Sequence, residues 1–127
     1  MKIKRIIDIE EEIRVALNDY ITSYVRPLPK NFSLPSILIT AVGGTEQNEI
    51  DSFEVTLDCR AENENDAQLN LRNAIGILEK IAESQSTALR YVTINTLTSW
   101  GRDPVRPELA MCSARLGVVA HKETAEV

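Results

Sequence analysis

Two stretches of the chain alternate apolar and polar residues with a strict period of two, and the strand is the regular element with that period. In the first, Phe53, Val55, Leu57 and Cys59 fall on one side and Glu54, Thr56, Asp58 and Arg60 on the other. In the second, which runs from Leu109 to His121, Ala110, Cys112, Ala114, Leu116, Val118 and Ala120 share one side. Each pattern predicts a strand with one buried and one wet face. A sheet of such strands must cover its apolar face with another layer. The small residues of the second strand predict tight packing under a helix.

The covering layer is legible as a change of period. Ile6, Ile9, Ile13, Leu17, Tyr20 and Tyr24 recur at steps of three or four, which predicts a helix over 1–24, ended by Pro27 and Pro29. Asp8 and the three glutamates Glu10 to Glu12 suit the positive end of the helix dipole. A second helix is predicted over 65–84. Asn65 stands as its cap, with Gln68 three residues later, and Ala67, Leu71, Ala74, Ile75, Leu78 and Ile81 mark its buried face. Gly76 lies inside this helix, where glycine costs about 1 kcal/mol relative to alanine. A close helix-on-sheet contact would explain it.

Two more apolar runs complete the pattern. Ile37 to Val42 reads as a strand stopped by Gly43-Gly44-Thr45, and Tyr91 to Thr98 as another. The polar stretch from Thr45 to Asp51 is expected to join an antiparallel strand pair. The prediction is a single α+β domain over 1–127, a four-stranded sheet with two helices on one face in the order α-β-β-α-β-β. Its parts are a first helix at 1–24, a strand pair at 36–60, a second helix at 65–84, a second strand pair at 90–121 and a flexible tail at 122–127.

Composition limits the chemistry. Among 127 residues, 14 Lys and Arg face 19 Asp and Glu, a formal charge of −5 that repels a phosphate backbone at long range. No apolar run approaches the roughly 18 residues of a membrane span, and the basic-then-apolar start is broken at once by Asp8, so a cytoplasmic chain is expected. His121 is the single histidine, which excludes zinc centres built on histidine. Cys59 and Cys112 are far apart in sequence and read as small buried thiols. Gly43-Gly44-Thr45 lacks a phosphate-loop pattern, and Glu10 to Glu12 diverge by about 100° each around a helix. No catalytic residue, metal site or cofactor is expected, and the chain does not read as an enzyme.

The candidate contacts are therefore loop residues and one polar strand face. Trp100, Arg102 and Asp103 lie in a turn-rich segment, Ser99 to Pro107, expected to be a hairpin tip, and Trp and Arg are frequent interface anchors. Leu28, Pro29 and Phe32 sit in a proline-set connector with no periodic face, which suits docking onto a neighbouring subunit. Glu54, Asp58 and Arg60 form the polar face of the first alternating strand, expected to meet a subunit or line a lumen.

Several of these features occur together: Val25-Arg26-Pro27-Leu28-Pro29 after an amphipathic helix, a strand ending Val42-Gly43-Gly44-Thr45, the strand Phe53 to Arg60, the polar cap Glu62 to Asp66 before an Ala/Leu-rich helix, and the Trp-Gly-Arg-Asp-Pro sequence at 100–104. In this layout the chain resembles the tail-terminator (tail-completion) proteins of long-tailed bacteriophages. The resemblance implies a structural virion protein that forms a ring, usually a hexamer, capping the tail tube. Its partners would be copies of itself, the tail-tube protein and a head-side neck or connector protein. DNA would pass through without specific binding, and the chain would reside in the virion tail. Alternatives are a head-completion or neck adaptor, a small ligand-binding or enzymatic α+β domain using Asp58, Arg60 and Arg115, and a nucleic-acid adaptor using Arg102, Arg106 and Arg115.

Overall fold

Asp8, where the first helix was expected to be already under way, is instead its N-cap. The computed structural model describes all 127 residues except the side chains of residues 98–100. Asp8 has extended backbone and its carboxylate accepts the N–H of Glu11, so α1 runs only over Ile9–Leu17. The residues before it form a strand, β1 (Lys2–Arg5), and those after it a short strand, β2 (Ser23–Val25). The predicted helix over 1–24 is thus shortened at both ends. Asn18 and Asp19 are poor helix formers, and beyond them Tyr24 points its hydroxyl at the connector, where it accepts the N–H of Ser33 at 3.1 Å.

The chain continues as β3 (Ser36–Thr45), β4 (Ile50–Ala61), α2 (Glu64–Ser84), β5 (Leu89–Arg102), β6 (Ala110–His121) and β7 (Glu123–Glu126). Among the described residues there are seven strands and two helices in two sheets, so the four-stranded α-β-β-α-β-β arrangement is corrected. The main sheet has five strands in the order β2-β3-β4-β6-β5, and β1 pairs with β7 in a separate two-stranded ribbon. The tail expected to be flexible therefore holds a strand. Opposite charges help to set its register: Arg5 faces Glu123, with Arg5 Nη2 3.1 Å from its carboxylate, and the N-terminal amine pairs with Glu126.

Within the main sheet, β2 runs parallel to β3 and every other neighbouring pair is antiparallel. Strand β3 does not stop at the glycines. It runs through them with a register shift between Ala41 and Gly43. Gly44 is required there, because a Cβ would lie 2.3 Å from the carbonyl oxygen of Ser52 on β4.

One face of this sheet is the core. Ile37, Ile39, Val55, Leu57, Cys59, Cys112, Ala114, Leu116 and Val118 are buried against Ile13 and Leu17 of α1 and Leu71, Ala74, Ile75 and Leu78 of α2. Helix α2 is capped by Asn63, whose side chain accepts the N–H of Asp66 at 2.9 Å, two residues earlier than the expected cap. It ends at Gln85, which adopts the left-handed conformation. The helix-on-sheet contact offered for Gly76 is absent: a Cβ there would meet nothing within 4 Å.

Candidate assembly surface

The turn after β5 is locked to β4 by one buried ion pair, Arg60 with Asp103. Strand β5 continues to Arg102, so Trp100 and Arg102 belong to a strand rather than to the tip. The backbone of Trp100 pairs opposite Cys112, and its side chain lies outside the described residues. Asp103 begins the turn. It is 4% exposed, and one carboxylate oxygen receives Arg60 Nε at 2.7 Å while the other accepts the N–H groups of Val105 and Arg106. Burial pushes the Asp103 carboxyl up, but Arg60 and the two backbone donors outweigh it and hold it below the ordinary aspartate range.

Phe32 joins this cluster from the connector. The Arg60 guanidinium lies 6.0 Å from its ring centre and that of Arg106 5.6 Å. Three residues assigned to separate groups in the sequence (Phe32, Arg60 and Asp103) therefore meet in one place. Leu28 is half-buried and Pro29 exposed in the same connector. Arg102 is exposed beside the start of α2, in a cleft with Glu62, Asn63 and Glu64.

The uncovered face of the sheet keeps its other charges apart. Glu54 faces Arg115 at 3.6 Å, and Asp58 accepts the hydroxyl of Ser113. Asp58, Arg60 and Arg115, the set considered for a pocket, thus each turn to a different partner. Among the described residues no group of three or more His, Cys, Asp or Glu is placed to hold a metal ion. Among the described residues no helix is long and apolar enough to cross a membrane.

The structure also assembles features the sequence did not signal. Cys59 and Cys112 are direct cross-strand partners on the buried face, and desolvation pushes the Cys59 thiol up to about 12. Asp51, at the buried start of β4, accepts Lys122 Nζ at 2.6 Å and the N–H of Gln47 at 3.0 Å. Desolvation raises its pKa, but these donors prevail and leave it lowered.

The two edges of the main sheet differ. On the β3 side, β2 covers residues 37–39 and a Glu10 carboxylate oxygen accepts the N–H of Ala41 at 2.8 Å. On the opposite side, among the described residues the 14-residue β5 pairs only with β6 and its outer backbone edge is bare. Tyr91 is 69% exposed there, Leu97 60% and Ile94 46%. Ile94 and Leu97 stand opposite Leu116 and Ala114, so they point to the helix side of the sheet yet remain uncovered. Edge strands of this length and apolar character are association sites unless something blocks them.

No protein-family model matches the chain, and no curated protein matches it either.

Proposed function

We propose that this chain is a structural subunit that assembles into a ring, and that the ring is the terminator capping the tail tube of a long-tailed bacteriophage. The observation that carries the assembly half is the bare, apolar 14-residue edge of β5 opposite an edge formed by the three-residue β2 and the Glu10 contact to Ala41. A subunit with two unlike edges offers unlike surfaces for association, and head-to-tail contacts between such surfaces close into rings when the rotation per step allows. The tail-terminator half rests on the resemblance in layout set out above.

The uncovered sheet face suits a passage for DNA. Its Arg115 and Arg60 are already engaged by Glu54 and Asp103, and the subunit carries a net charge of −5. Such a face offers a phosphate backbone few free cations. In this reading the ring contacts the tail-tube protein on one side and a neck or connector protein on the other.

Light scattering combined with electron microscopy of the purified protein, alone and with tail tubes, tests the ring. Tail length in a phage lacking the gene tests the role. Tails of uncontrolled length are expected. Tails of normal length that fail to join heads would assign a neck adaptor instead and overturn the terminator role.

A further inference from the structure

We propose that the β1–β7 ribbon of one copy adds, through the free edge of β1, to the bare β5 edge of the next copy. This rests on the ring reading and names the contact that would build it. Two observations point to each other. An isolated two-stranded ribbon is marginal in water, because two strands alone cannot bury a face. Here β1 and β7 pair only with each other, and none of their side chains joins the core cluster. Among the described residues, the ribbon side chains make one hydrogen bond to the body, from Lys4 Nζ to Glu49 at 2.6 Å. Strand β5 presents the converse: a long edge with unpaired backbone groups and exposed Tyr91, Ile94 and Leu97. Strand addition satisfies both, since backbone hydrogen bonds supply the pairing and alternate side chains fill the flanking surface.

Charge selects the ribbon over a second β5. The cleft between α2 and the start of β5, about 370 Å³, is lined by Glu79 and Glu83 alongside Tyr91 and Val92. Neither glutamate has a cation partner among the described residues, and the Arg90 guanidinium is turned to the carbonyls of Thr87 and Leu89. A β5–β5 seam would bring a second pair of these carboxylates toward the first. Strand β1 instead carries Lys2, Lys4 and Arg5 within four residues, and Lys2 has no carboxylate partner among the described residues. The ribbon and β5 are different surfaces, so the contact repeats head to tail.

The test places one cysteine on each surface of the full-length chain, Ile3→Cys and Thr93→Cys, and applies a short bis-maleimide. Cys59 and Cys112 are buried and do not compete. Each single variant is expected to stay at the monomer band, and the double variant to give a ladder of covalent multimers ending at the ring size. Dimers from Thr93→Cys alone would show β5 meeting β5 and overturn the proposal. So would a double variant without a ladder while light scattering reports oligomers, or a chain that stays monomeric at millimolar concentration. Lys2→Glu is expected to weaken association at least tenfold, and adding Glu83→Lys to restore it. Circular dichroism confirms that both variants are folded, and a Lys2→Glu chain that associates like the wild type overturns the pairing. A ladder together with normal tail length in the gene deletion keeps this contact and removes the terminator role, so the two readings fail separately.

Discussion

Replacing Asp103 by asparagine removes one charge from the clamp while keeping its shape and its acceptor for Val105 and Arg106. The Asp103 and Arg60 side chains are 5% and 11% exposed, so this is a buried ion pair rather than a surface one. Removing one partner of such a pair costs about 3–5 kcal/mol, since the remaining charge stays desolvated. Arg60 Nη1 is itself buried with no protein partner, which adds to the burden on Asp103. The Phe32 ring still faces the guanidinium, but the single amide oxygen stays with the backbone donors and the NH2 turned to Arg60 does not accept from it, so the loss should be at least about 3 kcal/mol. At about 2 kcal/mol per molar of urea, the unfolding midpoint drops by at least about 1.5 M. The double variant Arg60→Met/Asp103→Asn removes the stranded cation and is expected to recover to within about 1 kcal/mol of the wild type.

The same pair fixes a sign for pH. The Asp103 carboxyl is lowered in the folded chain, so the folded state binds its proton less readily than the unfolded state. Its contribution is whole above the ordinary aspartate value of about 3.9 and is lost as pH falls from there through the folded value. Urea midpoints measured from pH 7 downward should begin to converge for the wild type and Asp103→Asn only below about pH 3.9. A loss below about 0.5 kcal/mol at pH 7, as for an exposed pair, would refute the reasoning, as would a double variant no more stable than Asp103→Asn.

Gly76→Ala is expected to stabilise the isolated subunit by about 1 kcal/mol, because the new methyl meets nothing within 4 Å and the helix gains propensity. For a chain of this size that raises the melting temperature by about 3–4 °C in a calorimetric scan. Cys59 should resist a thiol reagent in the folded chain and react only on unfolding, read by comparing labelling with and without denaturant, since it is fully buried with its thiol raised to about 12. Asn63→Ala removes the cap of α2 and should cost about 1 kcal/mol in urea unfolding, whereas Asn65→Ala, one turn position inside the helix, should cost little. Leu57→Ala, at a site with no exposure, should cost about 2–5 kcal/mol.

How much was legible depended on the range of the interaction. Strands β4 and β6 were readable because each buries one face along its whole length, which prints an alternation on Phe53 to Arg60 and on Ala110 to Ala120. Helix α2 was readable for the same reason at the helical period. The first helix was overextended because Ile6 and Tyr20 happen to continue its spacing, although Ile6 precedes the cap and Tyr20 follows the last turn. Gly43 and Gly44 read as a stop in β3 because glycine marks turns far more often than a strand crossing its neighbour closely. The hairpin residues were singled out for their type, but the burial of Asp103 depends on Arg60, 43 positions earlier.

What the sequence determined by itself was local: the period of each long element, the face it buries, the net charge and the scarcity of metal-ligating side chains. Those follow from dihedral preference and from the need of each element to hide its own apolar side. The tertiary structure alone decided which strands are neighbours, that Cys59 faces Cys112, that the chain ends pair as a ribbon, and that β5 keeps a bare edge. Each of these joins residues distant along the chain, and a strand's own sequence carries its period but not the identity of the strand beside it.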